Sequence, residues 1–322
     1  METGNQSTLD RAAGPLLFRP QLSRSRLAGF AWSALSVAIF SGWFVVTRFS
    51  VTRELRIWDI AALRFGIGAV LLAPALLRRG QRPLPAAWCE GLLFSQLWGL
   101  PFVLLVVLGL RLTSPAEAAS IAPTLMPVFS GLFGWAFLRE KPGRTRCLSY
   151  GAILAGLIGL VMAGAPVRAM PDPAALAALA LAAAMWAAYT LLFRRSGLTP
   201  IQSAALICIW SAALLLPAYG LLGLSRFHLA SASEVALQAF YQGVLMSAVA
   251  IVTFNRAVTL LGAPAATAII ALVPAVAAAL AIPFLGEVPT PIETLAIAAI
   301  VIGVLLAAKP MPVRRRAPRS WN

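Results

Sequence analysis

The strongest constraint on this chain is a succession of apolar runs, each closed off by arginine, proline, glycine or an acidic cluster. A bilayer's hydrocarbon core, ~30 Å thick, takes ~20 apolar residues of helix to cross. Ten runs of that order are read, at 28–49, 57–77, 88–110, 115–138, 146–165, 173–193, 200–222, 235–256, 263–285 and 291–308. Connections of no more than twelve residues leave no room between them for a soluble domain. Backbone polar groups cannot be left unpaired in lipid, so the runs are expected to be helices. The expected fold is an all-α integral membrane protein with ten transmembrane helices.

Composition agrees with lipid as the solvent: 60% of the 322 residues are hydrophobic and 11% are charged. A formal charge of +15 in a soluble protein would suggest nucleic acid, but here the basic residues lie between the apolar runs and at both ends. That placement speaks for membrane orientation, and no nucleic-acid partner is expected. With the N-terminus inside, nineteen Lys and Arg fall on inside segments and six outside, with Arg64 left within the second run. Both termini are therefore expected to be cytoplasmic, 1–27 as a tail feeding an uncleaved first helix and 309–322 as a basic tail. One histidine, His228, and three cysteines set at the edges of or inside apolar runs offer no metal site, and no cofactor is expected. The sequence contains no P-loop.

The chain repeats itself. A shift of 147 residues lays PVFSGLFGWAFLRE (127–140) on PAVAAALAIPFLGE (274–287), so that Pro127 meets Pro274 and Glu140 meets Glu287. A shift of 143 lays Trp43 on Trp186 and Thr47 on Thr190, and the difference of four is one loop-length change. The halves are 28–165 and 173–308, five helices each. An odd number turns the second unit upside down, and inverted-topology repeats are the architecture of many secondary transporters.

The segments AEAASIAPTLMPVFSGLFGWAFLREK and APAATAIIALVPAVAAALAIPFLGE, each followed by a small-residue-rich helix, together with IAALRFGIGAVLL around Arg64, resemble the EamA group of the drug/metabolite transporter superfamily. The likeness covers roughly residues 28–308; Arg139 before Glu140 and Ile207 at the counterpart of Arg64 depart from it. The resemblance implies a multi-pass protein of a bacterial-type inner (plasma) membrane. It implies export or exchange of small metabolites, amino acids foremost, by alternating access, with a small molecule and the lipid bilayer as partners and a monomer or homodimer as the assembly.

Polar and aromatic residues at mid-membrane depth are few, which makes each informative. Gln96 and Trp98 on the third run and Tyr241 and Gln242 on the eighth are candidates for a substrate cavity, with inter-helix hydrogen bonding as the structural alternative. Trp43 on the first run and Trp186 and Tyr189 on the sixth are candidates for the same cavity, with interfacial anchoring as the competitor. Arg64 in mid-helix requires a partner or water; Glu117 is the nearest carboxylate by depth, and the pair is read as a structural ion pair, with a gate or a contact to a substrate carboxylate as the alternative for Arg64. Pro127 and Pro274 are candidate hinges or simple kinks. The small-xxx-small pairs Ala152/Gly156 and Ala299/Gly303 are expected to pack the fifth helix on the tenth, or to form a dimer seam. A membrane enzyme is disfavoured by the scatter of eleven acidic residues, and a scaffold or sensor subunit without transport activity by the lack of an input or output domain.

Overall fold

The apolar runs are helical, with breaks at Gly99 and at Ala271–Leu272. The computed structural model describes residues 24–50, 55–77, 83–113, 115–168, 172–285 and 288–308. In chain order the helices are α1 (Arg24–Ser50), α2 (Ile57–Leu77), α3 (Pro85–Trp98), α4 (Leu100–Leu112), α5 (Pro115–Leu138), α6 (Arg144–Arg168), α7 (Pro173–Arg195) and α8 (Pro200–Leu221). After them come α9 (Ala232–Gln238), a π-helical stretch Ala239–Ala250, α10 (Ile251–Leu261), α11 (Ala263–Ile270), α12 (Val273–Leu285) and α13 (Pro291–Ala308). Among the described residues eight stretches are long and apolar enough to cross a membrane, and Pro291–Ala307 is a shorter apolar helix.

The helix starts follow from local chemistry. Proline stands at the first or second position of α3, α4, α7, α8 and α11, where its missing N–H has no partner to lose. Asp172 accepts from Ala174 N at 2.7 Å, Ser231 from Glu234 N at 3.2 Å, and Thr199 closes a capping box with Gln202. Asp59 in the first turn of α2 is fully buried; it accepts from Arg56 N (2.8 Å), from Tyr219 Oη (2.6 Å) and from Arg226 N (2.9 Å). It thereby ties α2 to the end of α8 and the loop that follows.

The packing has a pattern. The helix pair α2 and α8 are in contact, as are α6 and α13. α1 packs on α10 and the π stretch, while α7 packs on α4 and α3. α5 lies against α7 and α12 against α1; α2 meets the π stretch and α8 meets α3. Exchanging the two halves of the chain turns this list of neighbours into itself. The small-residue pairs do bring α6 and α13 together: Ser149 Oγ donates to Gly303 O at 2.7 Å, and a Cβ on Gly156 would lie 2.6 Å from Ala296 O. Of the tails read from sequence, residues 1–23 and 309–322 lie outside the described residues, as do Glu287 and the side chains of Glu117 and Thr47.

Candidate functional site

Two helices that the 147-residue shift relates both depart from regular winding. The first half breaks between α3 and α4 at Gly99, where a Cβ would overlap Ser95 O and Ser211 Oγ, so only glycine fits. Gly99 N donates to Ser95 O at 2.9 Å, and Leu100 N reaches Ser211 Oγ at 3.3 Å. Proline at position 101 then opens α4. In the second half the counterpart of Gly99 is Met246, inside the twelve-residue π stretch. Departures of this kind collect at functional sites because they leave backbone groups and side-chain faces that a straight helix would hide.

The end of α3 delivers Trp98 into the centre of the bundle. Its ring stacks on Trp186 of α7, centroids 5.3 Å apart and planes at 19°, and touches Tyr189 at 4.8 Å and Phe254 at 5.3 Å. Phe40 of α1 closes on both tryptophans, 6.5 Å from Trp98 and 5.2 Å from Trp186. Trp98 is 1% exposed, Trp186 4% and Tyr189 0%, so the rings fill the space they surround. Aromatic pairs of this geometry contribute about 0.5–1.5 kcal/mol each beyond their burial. Four helices, two from each half, thus meet on one stack of rings.

Polar atoms surround the stack. Tyr189 Oη donates to Asn255 Oδ1 at 2.9 Å and shares a hydrogen bond with Ser203 Oγ at 2.8 Å. Trp43 Nε1 donates to Gln242 Oε1 at 3.0 Å, and Gln242 Nε2 donates to Gln238 Oε1 at 3.2 Å. Among the described residues four buried side-chain nitrogens have no partner: Arg64 Nε, Trp186 Nε1, Gln238 Nε2 and Asn255 Nδ2. All four are donors, and an unmet buried donor costs about 1–3 kcal/mol.

The structure places the remaining residues singled out from sequence as follows. Tyr241 is half-buried and turns to α1, its hydroxyl donating to Ile39 O at 2.9 Å over Gly42. Gln96 is half-buried beside the break, its Nε2 donating to Ser95 Oγ at 3.3 Å. Arg64 is 2% exposed; its guanidinium lies 5.7 Å over the Phe65 ring and makes no hydrogen bond or ion pair among the described residues. Pro127 is buried within the continuous helix α5, whereas Pro274 follows a break at Ala271–Leu272 where Ser41 Oγ donates to Val273 O at 3.1 Å. Phe40, Phe254 and Asn255 belong to the site and were not read from the sequence. Phe40 lies three residues before Trp43, on the same helical face, which was the available signal.

At one end of the bundle a pocket of about 400 Å³ is lined by Glu140, Lys141, Arg146, Arg194, Leu261, Gly262 and Pro264. Arg194 Nη1 bridges to Glu140 Oε1 at 3.4 Å, joining the last turn of α7 to the link after α5. Both groups are exposed, so the bridge closes the mouth only weakly.

The model of the EamA-like transporter family matches residues 27–162 and again 173–309. The "Probable terminal-alkyne amino-acid exporter" of Streptantibioticus cattleyicolor is 30% identical over 210 residues, covering 63% of this chain and 67% of its own length. The "Uncharacterized transporter YwfM" of Bacillus subtilis (strain 168) is 27% identical over 244 residues, 72% of this chain and 81% of that protein. A solved crystal structure superposes with a TM-score of 0.65 at 22% identity, over 88% of this chain and 96% of that one, which speaks to the fold alone.

Proposed function

This chain belongs to the EamA-like transporter family, matched over both of its halves, and from that premise we propose that it exports small metabolites, amino acids or related amphipathic compounds foremost. The exporter named for an amino acid among its relatives supports that substrate class. Export runs by alternating access: ten membrane-crossing segments form two inverted five-helix repeats, 28–165 and 173–308, that rock against each other in a bacterial-type inner membrane with both termini cytoplasmic. The exchange-invariant packing supports a two-fold relation between the units, because a neighbour list that maps onto itself is what such an axis produces, and five crossings per unit would make that relation an inverted one.

The observation that carries the reading is the stack of Trp98 on Trp186, one ring from each half, beside the helix break at Gly99. Rocking of the units separates those two rings and opens the path they close. Trp98, Trp186 and Tyr189 line that path; Trp43 and Gln242 supply its hydrogen-bonding wall, with Gln96 and Tyr241 at its margins. Pro274, next to the break between α11 and α12, serves as a hinge, with Pro127 as its partner in the first repeat. The test is counterflow in proteoliposomes with a panel of labelled amino acids and amphipathic cations, with and without a pH gradient. Trp98→Ala and Trp186→Ala are expected to change rate or selectivity. Failure of the wild-type chain to move any solute would refute the reading.

A further inference from the structure

The interior holds a positive charge that the fold leaves unused. Arg64 is 98% buried by its 2% exposure, in the middle of α2, with neither a hydrogen-bonded acceptor nor a carboxylate among the described residues. Its turn is wedged against the π stretch and α8: Ser247 Oγ donates to Arg64 O, and a Cβ on Gly68 would meet Cys208 Sγ at 2.8 Å. The same Ser247 hydroxyl donates to Gln242 O at 2.8 Å, so Arg64 and the Trp43–Gln242–Gln238 chain are held within one hydroxyl's reach through their backbones. That chain runs in one direction and ends on Gln238 Nε2, an amide donor with no acceptor among the described residues.

An ionised arginine in lipid is retained only where something compensates it. A structural arginine would carry its acceptor within the fold, as Asp59 carries its three donors. Here the Nε of a planar guanidinium fork and a terminal amide face no acceptor among the described residues, a donor set suited to a carboxylate. From this geometry we infer that Arg64 is the anchoring point for a carboxylate of the transported solute, with the glutamine chain of the π stretch as its neutral complement. The inference rests on the transport reading above and narrows it: the recognised class is the organic acid or zwitterion, and amines without a carboxylate are rejected.

The test uses the full-length chain in nanodiscs and thermal unfolding as the readout. The probes are L-phenylalanine, 3-phenylpropionate and 2-phenylethylamine, then L-leucine, 4-methylpentanoate and 3-methylbutylamine, with sodium chloride at matched ionic strength. The acids are expected to raise the unfolding temperature and the amines to leave it unchanged. Arg64→Gln is expected to bind the acids about ten- to a hundredfold more weakly, the worth of a charge-assisted pair, while Arg64→Lys keeps part of the response. Removing an uncompensated charge also leaves the ligand-free Arg64→Gln protein at least as stable as the wild type, which a structural ion pair would not allow. Equal stabilisation by amines, an undiminished acid response in Arg64→Gln, a response to chloride alone, or no response to any carboxylate each overturns the inference. Counterflow of other solutes would still stand in the last case, which separates this failure from that of the transport reading.

Discussion

Replacing Gly156 by alanine tests whether the α6–α13 seam is set by backbone contact. The added Cβ would lie 2.6 Å from Ala296 O and from Ile300 Cγ1, and 3.0 Å from Ile300 N. Two of those three neighbours are main-chain atoms of α13, which cannot swing aside as a side chain can. The helices must part by several tenths of an ångström along the seam, weakening the Ser149 Oγ to Gly303 O bond, now 2.7 Å. Overpacking of this kind costs about 1–3 kcal/mol, against which the better helix propensity of alanine returns roughly 0.5–1 kcal/mol. A net loss of up to about 2.5 kcal/mol follows, centred on about 1 kcal/mol. Gly151 provides the internal control: it sits on the same helix with nothing within 4 Å of its would-be Cβ. Gly151→Ala should therefore gain about 0.5 kcal/mol. Equilibrium unfolding of both variants in mixed micelles reads the difference directly. Equal stabilities, or a more stable Gly156→Ala, would show that close approach is not what holds the seam.

Three further outcomes follow from the hydrogen bonds. Trp43→Phe strips the donor from Gln242 and should cost about 1 kcal/mol, while Trp186→Phe removes an indole N–H that has no partner and should cost little in the same unfolding assay. Asp59→Asn weakens three bonds at once and should destabilise by about 1–3 kcal/mol, with proteolysis at the loop after α8 as a local readout. Pro274→Ala supplies an amide donor next to the break between α11 and α12; a continuous helix favoured by about 1.4 kcal/mol would slow counterflow roughly tenfold. Pro127→Ala, in a helix already continuous, should stay within about twofold.

The polar residues of the interior were legible as a set, not as an arrangement. Trp98, Trp186 and Tyr189, chosen for depth alone, came together in one stack. Gln242 was chosen as a site for an amphipathic solute, and in the structure its carbonyl is taken by Trp43, another chosen residue, from the opposite half. Tyr241, its neighbour in sequence, looks toward α1. Reading faces from sequence assumes 3.6 residues per turn, and the π winding over Ala239–Ala250 alters which residues share a face. Gly99 was equally unreadable, since a glycine in an apolar run carries no sign that the carbonyl of Ser95 and the hydroxyl of Ser211 will press on it.

The sequence by itself determined that the chain is a succession of apolar helices with lipid as their solvent, and it carried the resemblance to a transporter family whose model matches both halves. Those are properties of residues taken in order: transfer free energy adds along a window, and a duplicated gene keeps its spacing. Tertiary structure alone decided which donors would find acceptors. It stacked Trp98 on Trp186, gave Asp59 three donors and left Arg64 Nε with no acceptor among the described residues. Partnership depends on helix rotation and crossing to within an ångström, which no sum along the chain contains.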